Sequence, residues 1–217
     1  MKLRERLGVS PRRQAQLSRL MQLSLVGFLF VGVYETDVGI LVNASLGLAI
    51  TELPALIERD LQIPLDAGLT LWITAAVFLH TLGAVGLPGM ETNVYQQIFW
   101  WDHLTHALSA SIVAGAGYAT VRAIQDRVED VEFPPRIEFI LIVVLVIAFG
   151  VLWEVAEFAI AELSLALGAE PVLTQYGVGD TMLDLLFDAV GAVIVGVAGT
   201  ARFDVLAAAL ALRLERS

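Results

Sequence analysis

Ionisable side chains recur at the ends of long apolar segments of this chain, where their charge is costly and a function is the usual reason for keeping them. Six carboxylic acids and three histidines are of this kind: His80, Asp102, His103, His106, Glu154, Glu157, Asp180, Asp184 and Asp188. Imidazole and carboxylate groups together suit Zn²⁺, Mn²⁺ or Fe²⁺, whereas carboxylates alone favour Ca²⁺ or Mg²⁺. The mixed set therefore indicates a site for a divalent transition metal.

The spacing of these residues is helical. The steps are four residues from Asp102 to His106, three from Glu154 to Glu157, and four each along Asp180, Asp184 and Asp188. Residues three or four apart share one face of an α-helix, and the three aspartates cover only about 80° of its circumference. Each set can therefore face the interior of one bundle.

The number of acids close together limits what the site can be. The carboxyl groups cannot all remain ionised in one layer, so either several are protonated or a cation lies among them. We predict a metal site formed by His80, Asp102, His106, Asp184 and Asp188. Glu154 or Glu157 would act as general base towards metal-activated water, in hydrolysis or modification of a lipid-linked or membrane-proximal substrate.

Two other classes of function stay open. A protonated cluster would suit a small cation- or proton-coupled transporter, and a cluster that only locks helices together would suit a structural or partner-binding protein. Transport predicts polar residues across the whole membrane, yet the segments beyond His106 and Asp188 are small and apolar. This pattern favours a one-sided site.

Some members of the set have simpler interpretations. Asp180 follows a Gly-Val-Gly segment and can be a helix N-cap. His103 points about 60° away from His106 on a helix, which favours a contact with lipid headgroups. His80 taken alone is typical of a packing histidine, and only its neighbours make it a candidate ligand.

The composition places these residues in a membrane protein. The chain of 217 residues is 57% hydrophobic and 17% charged, with a mean hydropathy of +0.75, which is too apolar for a soluble domain. It has no cysteine, so disulfides and thiolate metal sites are excluded. The net charge of −10 argues against nucleic-acid binding, which requires a basic surface.

Hydropathy predicts an all-α, polytopic helix bundle with about six transmembrane helices in the lipid bilayer. The predicted spans are 20–33, 38–57, 67–86, 101–121, 137–162 and 180–201. A basic N-terminal segment, 1–19, precedes the transmembrane domain, 20–202, and an amphipathic tail, 203–217, would lie on the membrane surface. An alternative fuses the first two spans into one tilted helix.

The basic residues decide between these topologies. With six spans, all thirteen Lys and Arg residues fall on one side, which the positive-inside rule makes cytoplasmic. We therefore expect the protein in the cytoplasmic membrane of the cell, with both termini in the cytoplasm. The acidic cluster would face outward. An interfacial belt on the outer side would be formed by the aromatic residues Tyr34, Tyr95, Phe99, Trp100 and Trp101.

Four short segments resemble the YjdF-like family of small prokaryotic inner-membrane proteins. They are Leu79–Ala84, Trp101–His106, Trp153–Phe158, and the stretch from Gly179 through Asp184 to Ala192. The similarity covers roughly residues 20 to 200 and includes the candidate site residues. A fainter similarity to VanZ-like membrane proteins lies in the Asp-to-His spacing of four and the late Asp-then-Gly motif.

Overall fold

The regular elements of the structure, a computed structural model, are helices. It describes residues 9–85, 92–128, 131–169, 171–173, 176–198 and 200–214, and these contain no strand. The helices are α1 (Pro11–Glu35), α2 (Val38–Thr51), α3 (Leu53–Leu61), α4 (Ala67–Val85), α5 (Val94–Gln97), α6 (Trp101–Arg127), α7 (Pro135–Ala166), α8 (Val178–Ala198) and α9 (Thr200–Leu214). The predicted all-α fold class is confirmed.

Five helical segments in the described part of the chain are long and apolar enough to cross a membrane. They are Pro11–Glu35, Val38–Leu61, Ala67–Val85, Trp101–Arg127 and Pro135–Ala166, of which the second comprises α2 and α3. The sixth predicted span corresponds to α8, which has 21 residues and would extend about 31 Å. The assignment of α8 as a span stays a prediction. The five other segments already make the protein a polytopic helical membrane protein.

The first two predicted spans are separate helices. Thr36 adopts a left-handed conformation with φ 55°, which ends α1, and the Asp37 Oδ1 atom accepts a hydrogen bond from the Ile40 amide at 3.0 Å. The two helices pack against each other and against α4, so a single fused helix is wrong. Helix α1 begins at Pro11, before the predicted start at residue 20, because Ser10 caps it through the Arg13 amide.

The most extensive helix pair is α6 with α8. At Gly191 the two backbones are so close that a β-carbon would collide with the Ala107 carbonyl oxygen and lie 3.0 Å from the Ser111 nitrogen. Membrane helices reach such short distances through small residues. Because Gly191 follows Asp188 by three residues, this contact fixes the distance between the polar residues of α6 and α8.

Helix α9 packs along α6 as well. Its side chains Phe203, Ala207 and Ala211, spaced four apart, are buried, and the Tyr118 hydroxyl donates a hydrogen bond to the Asp204 Oδ1 atom at 2.9 Å. The predicted helical tail thus has a face buried against the bundle, while its location at the membrane surface stays a prediction. Residues 1–8 of the basic segment and 215–217 of the tail lie outside the described residues.

Candidate functional site

The centre of the candidate site is the imidazole ring of His106 on α6. Its Nδ1 atom lies 3.2 Å from the Asp188 Oδ1 atom, and its Nε2 atom lies 3.8 Å from the Asp102 Oδ1 atom and 4.0 Å from the Asp184 Oδ1 atom. An ionised carboxylate only accepts hydrogen bonds, so Asp188 favours the tautomer with its proton on Nδ1. That tautomer leaves the Nε2 lone pair directed at the other two carboxyl groups.

Asp184 is the most enclosed acid of the set. Its exposed fraction is 2%, and its buried Oδ1 atom has no hydrogen-bond donor among the described residues. The Nδ1 atom of His103, 3.7 Å away, is buried and without a hydrogen-bond partner in the same part of the structure. Buried polar atoms without partners are costly, and a cation between them would remove that cost.

Asp102, His106 and Asp184 have the geometry of a metal-binding group. Each offers one ligand atom, and these atoms lie within 4.8 Å of one another. Ligands about 2.0–2.1 Å from a tetrahedral zinc ion are about 3.3 Å apart, so rotamer adjustments that shorten the separations by up to about 1.5 Å would bring the three atoms to coordinating distance. The donor set of one imidazole and two carboxylates suits a first-row divalent metal.

Asp188 is held between two helices beside His106. It is 5% exposed, and a β-carbon added to Gly150 on α7 would collide with its Oδ2 atom. The missing side chain at Gly150 therefore makes room for this carboxylate. Asp188 was predicted as a metal ligand; in the structure its contact is with the histidine, the arrangement that orients metal-binding imidazoles in other proteins.

The two glutamates of α7 have different surroundings. Glu154 is 4% exposed, and its Oε2 atom accepts a hydrogen bond from the Thr181 hydroxyl of α8 at 2.7 Å. Glu157 lies on the wall of a cavity that also reaches Asp102. Of the two predicted general bases, Glu157 therefore has access to this cavity, whereas Glu154 joins α7 to α8.

His80 lies outside the group formed by Asp102, His106 and Asp184. Its Nδ1 atom is 2.8 Å from the Tyr95 hydroxyl, and its ring packs edge-on against Trp153 with the centroids 5.7 Å apart. The Tyr95 hydroxyl also lies 3.4 Å from the Thr105 Oγ1 atom. Burial raises the pKa of Tyr95, so this phenol stays neutral beside the histidine.

A polar cavity of about 640 Å³ opens beside the cluster. The acidic residues on its wall are Glu35, Asp37, Asp102 and Glu157. Asn43 also lines it and donates hydrogen bonds from Nδ2 to the carbonyl oxygens of Gly39 and Val172, both at 3.0 Å. Asn43 thereby ties α2 to the segment that precedes α8.

An apolar cavity of about 410 Å³ adjoins the polar one, and both are lined by Asn43 and His80. Helices α4 and α6, which pack against each other, form part of its wall, together with α2 and α7. His106 and Asp188 also line it. The candidate site thus lies between a polar space and an apolar space.

Three residues have surroundings that their sequence positions did not indicate. His103, predicted to contact headgroups, stacks on Phe187 with ring centroids 4.4 Å apart and faces Asp184. Tyr95, predicted for the interfacial belt, contacts His80. Asp180 lies inside the first turn of α8, so it is not the N-cap residue, although its Oδ2 atom accepts a hydrogen bond from the Tyr176 amide at 3.2 Å.

Sequence patterns carried some signal for the residues that the prediction missed. Asn43 is a polar residue in an otherwise apolar segment, and Thr181 precedes Asp184 by three residues on the same helical face. The contact between His103 and Asp184 joins two helices that are distant in sequence, so spacing along the chain could not predict it.

Fold and site together define a polytopic helical membrane protein with a His/Asp cluster that could hold a metal ion. Residues 17–205 match the family described as predicted membrane protein (DUF2238), and the chain belongs to that YjdF-like family. An uncharacterized protein of Thermotoga maritima is 32% identical over 121 residues, which are 56% of each chain. The chain thus spans just over half the length of this relative.

No solved structure matches the chain. The family assignment confirms the predicted YjdF-like resemblance, while the fainter VanZ-like similarity stays a prediction. Neither the family description nor the relative's name states an activity. The function therefore has to be argued from the site itself.

Proposed function

We propose that this protein is a metal-dependent membrane enzyme that hydrolyses or modifies a lipid-linked or membrane-proximal substrate at the outer face of the cell membrane. Asp102, His106 and Asp184 bind one divalent transition metal, with Zn²⁺, Mn²⁺ and Fe²⁺ favoured over Ca²⁺ and Mg²⁺. When bound, the metal lowers the pKa of a water molecule so that it can act as a nucleophile. Glu157, which shares the wall of the polar cavity with Asp102, would accept a proton from water there.

The observation that carries this proposal is the environment of His106. One ring nitrogen faces Asp188, and the other faces two further carboxyl groups, Asp102 and Asp184. A histidine that only locked helices together would need a single partner for each nitrogen. A carboxylate behind a histidine whose other nitrogen faces additional acids is the usual arrangement at metal centres.

The unsatisfied atoms of Asp184 and His103 support the same proposal independently. Both atoms are buried, 3.7 Å apart, and without hydrogen-bond partners among the described residues. His103 Nδ1 is close enough to become a further ligand after a small rotation of the ring. Bound metal would give each of these atoms a partner.

An enzyme is favoured over a transporter by the part of α6 beyond the cluster. Its buried residues there include Ala110, Ala114 and Ala119, which pack in the hydrophobic core with Val146 and Val195. These aliphatic side chains offer no ligand atoms for a passing cation, and the buried hydroxyls of the same stretch, on Ser111 and Tyr118, are bonded to the Leu108 carbonyl and to Asp204. A site reached from one side suits a reaction at that side, and the polar cavity supplies the room for a substrate.

The elemental content of the detergent-purified protein tests the proposal. The wild type is compared with His106→Ala and Asp184→Ala, and with Ser164→Ala as a control, because the half-buried Ser164 lines the polar cavity but its hydroxyl bonds within α7 and it is outside the proposed metal ligands. All four proteins must first elute as monodisperse peaks. We expect about one transition metal per chain in the wild type and control, and less than a tenth of that in the two site variants.

Loss of metal would justify screening hydrolysis of lipid-linked substrates with and without a chelator. Metal absent from every sample, including protein incubated with Zn²⁺ and Mn²⁺ and then desalted, would refute the metal site. Metal that is retained in both site variants would place it elsewhere and would also refute this assignment.

A further inference from the structure

We infer that the substrate or ligand of this site is a long-chain amphiphile with an ammonium head group, whose alkyl chain occupies the apolar cavity and whose head occupies the polar cavity. The inference rests on the proposed function for its position at the metal cluster. It adds the chemical class of the molecule and the surfaces that recognise each part of it.

The two cavities are neighbours and differ in chemistry. His80 and Asn43 line both of them, so one molecule of modest length can occupy both. The apolar cavity, at about 410 Å³, falls in the size range of binding sites for small molecules. A ligand that fills both spaces must have an apolar part and a polar part.

The apolar cavity is bordered by apolar side chains that are exposed on the outside of the helix bundle. Its wall includes Leu46 on α2 and Phe149 and Leu152 on α7, which are 48%, 53% and 65% exposed. Helix α2 packs on α4 and helix α7 packs on α6, and both α2 and α7 contribute to the wall of the cavity. In a bilayer, the apolar groups that reach an opening between two such helices are alkyl chains.

The charge of the polar cavity selects the head group. Four carboxyl groups line it, from Glu35, Asp37, Asp102 and Glu157, and none of the described residues on its wall is Lys or Arg. One divalent ion at the cluster would balance only part of this negative charge, because Asp184 and Asp188 lie beside the same cluster. An ammonium group complements the remaining charge, whereas a free carboxylate or phosphate would be repelled.

Ser109 offers a way to block the chain without touching the cluster. It is exposed on α6 and lines the apolar cavity, so Ser109→Phe places a ring in the space meant for the alkyl chain. Ala116, also exposed on α6 but outside the lining of either cavity, gives the matched control Ala116→Phe. Neither residue is part of the proposed metal site.

Native mass spectrometry of the detergent-solubilised protein provides the test, with hexadecylamine, hexadecanol and hexadecanoate as probes of equal chain length. We expect one hexadecylamine per chain, bound about tenfold or more tighter than hexadecanoate. Ser109→Phe should weaken amine and alcohol binding about tenfold or more, and Ala116→Phe should not. Glu35→Gln should reduce the preference for amine over alcohol.

Metal content measured on the same samples separates this inference from the proposed function. Ser109→Phe should keep its metal, and Asp184→Asn should lose metal yet still bind hexadecanol. The inference would be overturned, even with metal present, if Ser109→Phe left the binding of the alkyl probes unchanged. It would also be overturned if hexadecanoate bound as tightly as hexadecylamine. Ser109-dependent amine binding to protein that never contains metal would support the inference and refute the metal site.

Discussion

Asp188 faces the Nδ1 atom of His106 at 3.2 Å, and this pairing leaves Nε2 of the same ring directed towards Asp102 and Asp184. One residue on α8 thus sets the orientation of a ring on α6. The close approach of the two backbones at Gly191 keeps that distance fixed.

Replacing Asp188 should weaken metal binding without abolishing it. Asp188→Asn keeps an oxygen that can accept the bond from Nδ1 but loses the charge, and Asp188→Ala loses both. Outer-shell partners of this kind are worth about 10- to 100-fold in metal affinity. We expect the alanine variant at the upper end of that range and the asparagine variant at the lower end, measured by competition with a metal indicator. Equal affinity in wild type and both variants would show that Asp188 does not orient His106.

Gly150→Ala should disturb the site from outside it. The new β-carbon would collide with the Asp188 carboxylate and lie 2.9 Å from the Leu185 Cδ2 atom, so Asp188 must rotate away from His106. We expect a fall in metal affinity about as large as that of Asp188→Ala. Gly117→Ala is the matched control, because its β-carbon meets only the flexible end of Leu145, at 2.7 Å.

The two variants separate packing from positioning. Both add a methyl group at a contact between α7 and a neighbouring helix, α6 for Gly117 and α8 for Gly150, so both should lower the thermal unfolding temperature in detergent. A metal affinity reduced in Gly117→Ala as much as in Gly150→Ala would mean that general loosening of the bundle, rather than movement of Asp188, is responsible.

His103→Ala should have a smaller effect on metal binding than His106→Ala. His103 Nδ1 lies near Asp184 Oδ1 but outside the group of three ligand atoms that lie within 4.8 Å of one another. We expect a loss of about tenfold or less in affinity for His103→Ala and no measurable binding for His106→Ala, in the same titration. The opposite ranking would make His103 the principal imidazole ligand and would require a different coordination set.

Asn43→Ala should loosen the wall of the polar cavity. The variant loses the hydrogen bond to the Val172 carbonyl, at a cost of about 1 kcal/mol. We expect a matching decrease in the free energy of unfolding and faster proteolytic cleavage near Val172, while metal content stays unchanged. Ser164→Ala, which removes only a bond within α7, serves as control and should leave both cleavage and stability near wild type.

Hydropathy located the helices well because spans are set by apolar length. The predicted starts at residues 67 and 101 coincide with Ala67 and Trp101, and the polar turn after Tyr34 does separate two helices. The start of α1 was placed too late, since basic residues can continue a helix beyond the apolar run. Ser10 and Pro11, a capping residue and a favoured first helical residue, were the available signal.

The site was predicted at the level of helix faces but not of contacts. Spacing brought Asp102, His106 and Asp184 to one layer, and the structure places them together. Spacing could not predict the contacts of Asp188 and His80, because these depend on rotamers and on neighbours distant in sequence, such as Gly150 and Tyr95. His103 was misjudged because a 60° offset on one helix is small enough for a second helix to reach.

Titration of Zn²⁺ or Mn²⁺ into chelator-stripped protein, followed by calorimetry, tests the central claim most directly. The wild type should bind one ion per chain. His106→Ala and Asp184→Asn should each abolish that binding, and His80→Ala, whose ring contacts Tyr95 and Trp153, should retain it. Binding that survives in Asp184→Asn and disappears in His80→Ala would contradict the account, because the ion would then lie away from the cluster around His106.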